Sequence, residues 1–368
     1  MAKPSAILIR IGFYLILLFS LSVSVFPRFA YVLAIAAFCI WLLELLIFRD
    51  TSWVSSALFN PIAGFVAFSM IAWLLSGLLH DRSPAPCVAV FSLFYFVARS
   101  FVRSPEKRKM IVWTFISGVV LASGIDLFYR WGSLFGLSFS PNLAAGSLPF
   151  LMMLVFCVVI AYYAQAHDYA EKLFFGLISL PIAILAVLAF NRAIMVILLL
   201  IFIGVGILKD RAVLIVVGLI IVVMFSGLFG IRGKIVESSD AQDLIEHAKS
   251  PVYEIKRNFD VISGAGFYGG SGDLSQMEAG TAPDEPFFIT LIRYSGPPSL
   301  ILFIWIMIER ARRDLARIRK TSFPEVKAYH LASLLIVVSV SISSLYVSAP
   351  GCSSAVLALW LLLGMAEI

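Results

Sequence analysis

Apolar runs near residues 7–25, 30–48, 57–79, 85–102, 110–128, 143–164, 172–190, 193–208, 211–229, 286–308, 328–346 and 350–366 follow one another with short polar breaks between them. A helix needs about 20 apolar residues to cross the hydrocarbon core of a bilayer. The pattern therefore predicts an all-α, polytopic integral membrane protein with about 12 transmembrane helices. Between 172 and 229 only Asn191-Arg192 and Lys209-Asp210-Arg211 interrupt the apolar character. One stretch departs from the rhythm, the polar segment from Gly230 to Pro286. Its Ser239-Asp240-Ala241-Gln242 matches a capping box for a short helix over 241–249. Ser250-Pro251 opens a second helix with Val252, Ile255, Phe259 and Ile262 on one face, and Gly264 ends it. The expected organisation is helices one to nine over 1–229, a large, partly helical external loop over 230–285, and helices ten to twelve over 286–368.

Composition agrees with this pattern. The 368 residues are 61% hydrophobic and 14% charged, and the mean hydropathy is +0.99. No soluble domain needs so much apolar surface. Ile7 to Val25 follows Lys3 and Arg10 as a secretory signal would, but Phe26-Pro27-Arg28 lacks a small-residue cleavage site, so it reads as a retained span. The net charge of +6 reads as a topology signal and implies no nucleic acid. With the N-terminus inside, 18 of the 28 Lys and Arg fall in inner breaks, among them the clusters Arg99–Lys109 and Arg310–Lys327. That places both termini in the cytoplasm and the large loop outside. Four cysteines make no framework, and Cys39 and Cys157 read as small buried residues.

Candidate chemistry concentrates on the outer side. The loop holds ten of the 22 acids and five Lys or Arg. There is no P-loop, no dinucleotide fingerprint and no His/Cys pair at metal-ligand spacing. No metal or cofactor is implied. Arg192 breaks an apolar region, where a charge is costly unless it meets water, a partner or a ligand; the alternative is a snorkelling span end. Arg293 stands about two turns into the span that begins at Pro286, where snorkelling is harder. Arg257 and Arg130 are external and suit simple solvation. Asp284-Glu285 precede that span, either as ordinary helix caps or as a base at the membrane surface.

These residues carry a resemblance. Pro141-Asn142-Leu143-Ala144 resembles the Pro-Asn that opens a middle span in the O-antigen polymerase and O-antigen ligase superfamily of bacterial envelope glycosyltransferases. Asn191-Arg192-Ala193 resembles its (Ser/Thr)-Arg-Ala step, with Asn in place of the hydroxyl residue. The segment from Asp284 to Pro298 is similar to the one that follows the family's large periplasmic loop. Glu285 stands where Asn is usual, and Pro298 lies near the place of a second Gly. The superfamily's ligases carry His at the position of Asp284, so its absence favours the polymerase branch.

The resemblance implies a polymerase of the bacterial inner membrane, joining polyprenyl-diphosphate-linked oligosaccharide units into O-antigen or capsule on the periplasmic face. Asp284 or Glu285 would take the acceptor hydroxyl proton. Arg192 and Arg293 would hold the diphosphate, since arginine forks match phosphate oxygens. Arg257 and Asn142 would serve as further substrate contacts. Implied partners are the lipid-linked oligosaccharide, membrane lipid, and chain-length regulator and flippase proteins. The alternatives are a ligase handing finished chains to lipid A-core and, from another class, a transporter or flippase of lipid-linked sugar. A flippase should carry ionisable residues deep in several spans.

Overall fold

The computed structural model describes residues 4–48, 56, 58–80, 87–134, 148–188, 287–346 and 354–367. Among them the only regular secondary structure is helical, with no strand. The helices are α1 (Pro4–Val25), α2 (Pro27–Phe48), α3 (Phe59–His80), α4 (Cys87–Phe91), α5 (Phe94–Phe101), α6 (Pro105–Leu134), α7 (Leu148–Gln165), α8 (Tyr169–Leu188), α9 (Phe287–Lys320), α10 (Pro324–Tyr346) and α11 (Ser354–Met365). By length and composition α1, α2, α6, α7 and α10 contain segments able to cross a membrane, and stretches of α3, α4–α5 and α11 are shorter and apolar. This is a helical membrane protein.

The helices divide into a central and an outer set. Every residue of α11 is buried, and nearly all of α7. Helices this apolar around their whole circumference belong inside a bundle. Gly364 makes that placement possible for α11: a Cβ there would lie 2.5 Å from the Tyr95 carbonyl oxygen of α5. Outside, α1 turns Phe13, Ile16, Phe19 and Val23 inward while Ile7, Ile11, Tyr14, Leu18 and Leu21 stay exposed. An exposed stripe of large apolar side chains at helical spacing suits lipid and would be a liability in water.

Among the described residues, most of the cations gather with alternate helix ends at one end of the bundle. Glu44 near the end of α2 meets Arg103 at 3.5 Å, and Lys109 near the start of α6 meets Glu325 at the start of α10 at 3.5 Å. Lys107 lies 4.9 Å over the Phe13 ring of α1. Tyr162 near the end of α7 rests against Tyr329 of α10 and Phe175 of α8. These are residues or neighbours of the breaks expected on the inner side, and we refer to this as the basic end.

Four expectations need correction. The run 85–102 is two short helices, α4 and α5, because the chain makes tight turns at Ser92 and Leu93, whose N–H groups bond Ala89 and Val90 at 3.0 Å. The break after residue 308 is helical up to Lys320, supported by Glu309 with Arg312 and Arg313 at i+3 and i+4. Cys39 is exposed, whereas Cys157 is buried with its thiol 3.4 Å from the Ser339 hydroxyl. The last correction concerns 286–308, which is not a straight crossing. Gly296 adopts φ 76° and ψ 164°, a backbone region essentially closed to other residues, and Pro297 and Pro298 follow. Rings of Phe288 and Phe303, on opposite sides of the break, approach to 6.4 Å. Fifteen residues of straight helix would separate the two positions by about 22 Å along the axis. Phe287–Ser295 is therefore folded back on the rest of α9.

Candidate functional site

Of the six residues the sequence singles out, only Arg293 falls among the described residues, in the folded-back part of α9 three positions before Gly296. Asn142, Arg192, Arg257, Asp284 and Glu285, with the whole expected loop, lie outside them. Three residues past the break, the buried Ser299 hydroxyl meets that of Ser69 at 3.2 Å, near the middle of α3. The reversal thus lies well within the depth of the bundle. Irregular backbone at such depth persists only where protein buries it or it borders a polar cavity.

A second polar group was not foreseen. Arg310, which the sequence places in an inner basic cluster, is 1% exposed, and Asp314, one turn further along α9, is 0% exposed. The guanidinium donates twice to the Asp314 carboxylate, Nε to Oδ2 and Nη2 to Oδ1, each at 2.9 Å. Nε also lies 2.9 Å from the Ser333 hydroxyl of α10. His330 Nδ1 stands 2.8 Å from Asp314 Oδ1. Helical spacing accounts for the first pair, and α10 returning beside α9 supplies Ser333 and His330 from one face, three residues apart.

Beside this group lies Glu367, just past α11. Its Oε2 accepts from the Ser56 hydroxyl at 2.7 Å and from the Tyr95 hydroxyl, and Arg99 Nη1 is 3.6 Å away. Arg317 Nη1 donates to the Glu367 carbonyl at 3.0 Å. Segments far apart in sequence are thereby tied together at the basic end. Both carboxylates are engaged by donors, so the arrangement anchors helices rather than presenting a free base. Among the described residues no group of three His, Cys, Asp or Glu side chains is placed to hold a metal ion.

No protein-family model matches the chain, and no curated protein matches it.

The anchor has a pH dependence. Burial pushes the Glu367 carboxyl up, but hydrogen bonds from Tyr95 and Ser56 and the nearby Arg99 and Arg310 cations outweigh it, holding it below the usual carboxylate range. A carboxyl depressed in the folded state adds stability above its unfolded value of about 4.3 and loses it as pH falls through the folded value. Thermal midpoints in detergent should therefore drop as pH is lowered from 7 into the acid range. Glu367→Gln should lower the midpoint at pH 7 and remove part of that acid slope; an unchanged slope would show that Glu367 is not its source.

Arg108 adds a further buried cation. Its guanidinium sits 5.2 Å from the Tyr329 ring centre, within range of a cation–π contact. Among the described residues, Arg108, Arg310, Asp314, His330 and Glu44 are buried ionisable side chains, and all lie toward the basic end. The Arg310 group was partly visible in sequence, since Arg and Asp four apart mark one helix face. Nothing local indicated that the face is buried.

Proposed function

We propose that this protein is a polymerase of bacterial surface polysaccharide, a membrane glycosyltransferase acting at the end of the bundle opposite the basic end. It joins polyprenyl-diphosphate-linked oligosaccharide units in the periplasm, with both termini in the cytoplasm of the producing cell. One observation favours this reading most: the segment that resembles the polymerases, Asp284 to Pro298, ends in the reversal at Gly296. A helix broken inside the bundle is what a lipid-linked substrate needs, because a polar diphosphate must be met at membrane depth by something other than lipid. The anchor at the other end leaves that half fixed.

Outside the cytoplasmic membrane no nucleotide sugar is available, so the donor must arrive already activated. A diphosphate leaving group meets that need, and arginines near it stabilise the charge that develops as the bond to the sugar breaks. Arg192 and Arg293 take that role, and Asp284 or Glu285 accepts the proton of the attacking hydroxyl. Arg257 and Asn142 contact the sugar chain. No metal enters this scheme.

Replacing Arg192 or Arg293 by Ala should abolish polymer while the protein stays at normal levels in the membrane. Lys at either position should rescue only in part, because an ammonium cannot reproduce the bidentate fork. Full polymer from either Ala variant, by gel of the surface polysaccharide, would remove that residue from the site.

The broken helix also favours a second reading, since transporters place substrate beside discontinuous helices near the bilayer midplane. A transporter of lipid-linked sugar predicts that no repeat unit reaches the outer face in its absence. The polymerase predicts that single units do.

A further inference from the structure

The fold-back of α9 has a consequence for Arg293. The part of α9 after the break is held along its length. Ser299 bonds Ser69, and Phe303 packs on Phe65 and Trp360. Arg310 is locked to Asp314 and Ser333, and Arg317 to the Glu367 carbonyl. Ser333 and His330 of α10 hold Arg310 and Asp314, so rotation about the α9 axis would break both inter-helix contacts of a buried polar group. The direction in which Phe287–Ser295 leaves Gly296 is then set by one residue's backbone. Pro297 and Pro298 carry no N–H, so they cannot extend the helical ladder back to the carbonyls of Arg293 and Tyr294. Phe288 rests on Phe303, and Leu291 is buried.

We propose that Gly296 is a positioning residue: its reversal, built on the anchored half of α9, fixes the Arg293 backbone within the bundle for contact with a polyprenyl diphosphate. The geometric part stands alone, while the role of Arg293 rests on the polymerase reading. Any side chain at 296 has to leave the region at φ 76°, ψ 164°. The segment before it then straightens or swings, and Arg293 goes with it. The prolines alone do not set the reversal.

The test uses paired cysteines in the full-length membrane protein, with its four native cysteines replaced. Phe288→Cys with Phe303→Cys reports the fold-back. Trypsin cuts after Arg293, so the peptides carrying the two positions stay joined only through a cross-link, made with a short bifunctional thiol reagent that spans the two positions. Ser69→Cys with Ser299→Cys reports the packing of the anchored half on α3. The expected result is that both pairs cross-link. Adding Gly296→Ala abolishes the 288–303 link and spares the 69–299 link, and Pro298→Ala spares both. In the native-cysteine protein, Gly296→Ala should lose polymer at normal membrane levels and retain little affinity for a polyprenyl diphosphate, measured directly by binding. Two results would overturn the proposal: no 288–303 link with Gly296 in place, or full polymer and full binding once Gly296→Ala has abolished it. If the links behave as expected and polymer is unaffected by Gly296→Ala and Arg293→Ala alike, the polymerase reading fails and the fold-back remains.

Discussion

Replacing Arg310 by Met should cost about 3–5 kcal/mol of folded-state stability, because it strands Asp314 as a buried carboxylate facing only His330. Arg310→Lys should recover little, since one ammonium cannot make both bonds to Asp314 and reach Ser333 as the fork does. The double variant Arg310→Met, Asp314→Leu should recover most of the loss, since replacing a buried ion pair by apolar residues of similar volume is often close to neutral. Thermal inactivation in detergent, with the yield of monodisperse protein beside it, reads all three. A double variant as damaged as Arg310→Met alone would show that the stranded charge is not the cause.

For the chemical step, Asp284→Asn should lower the polymerisation rate on the order of a hundredfold or more if Asp284 is the base, because Asn keeps the capping ability and the size but takes no proton. A carboxylate that only caps the following helix would leave the Asn variant near normal. Glu285→Gln is the paired measurement, as either carboxylate can serve the acceptor hydroxyl. Normal polymer from the double variant would rule out a carboxylate base at this position.

The fold was legible in sequence wherever an apolar run was long enough to count. Runs such as 30–48 or 328–346 have no alternative in a chain this hydrophobic, and α2 and α10 occupy them. The gathering of the basic breaks at one end follows from the same alternation. What could not be read is what depends on neighbours. Arg310 stands in a stretch with Arg312, Arg313 and Arg317, where solvation is the ordinary expectation; its burial is decided by Ser333 and His330 on another helix. Glu367 likewise gives no sign that Ser56, Tyr95 and Arg99 converge on it. Gly296 is different, because Gly-Pro-Pro inside an apolar run is a local break signal. The run 286–308 is nevertheless as long as a full crossing, and only the contact of Phe288 with Phe303 distinguishes a reversal from a kink. Of the candidate site, the sequence supplied the residues and the resemblance, and the structure adds only the setting of Arg293.

The central claim is that the protein extends lipid-linked repeats at the outer face, and the surface polysaccharide of a deletion strain tests it most directly. If the product is O-antigen, the gel should show lipid A-core carrying one repeat, with the long ladder gone. If it is capsule, surface polymer should vanish while lipid-linked single repeats accumulate. Bare core with long chains retained on the polyprenyl lipid would contradict the polymerase and establish the ligase, whatever Asp284 does.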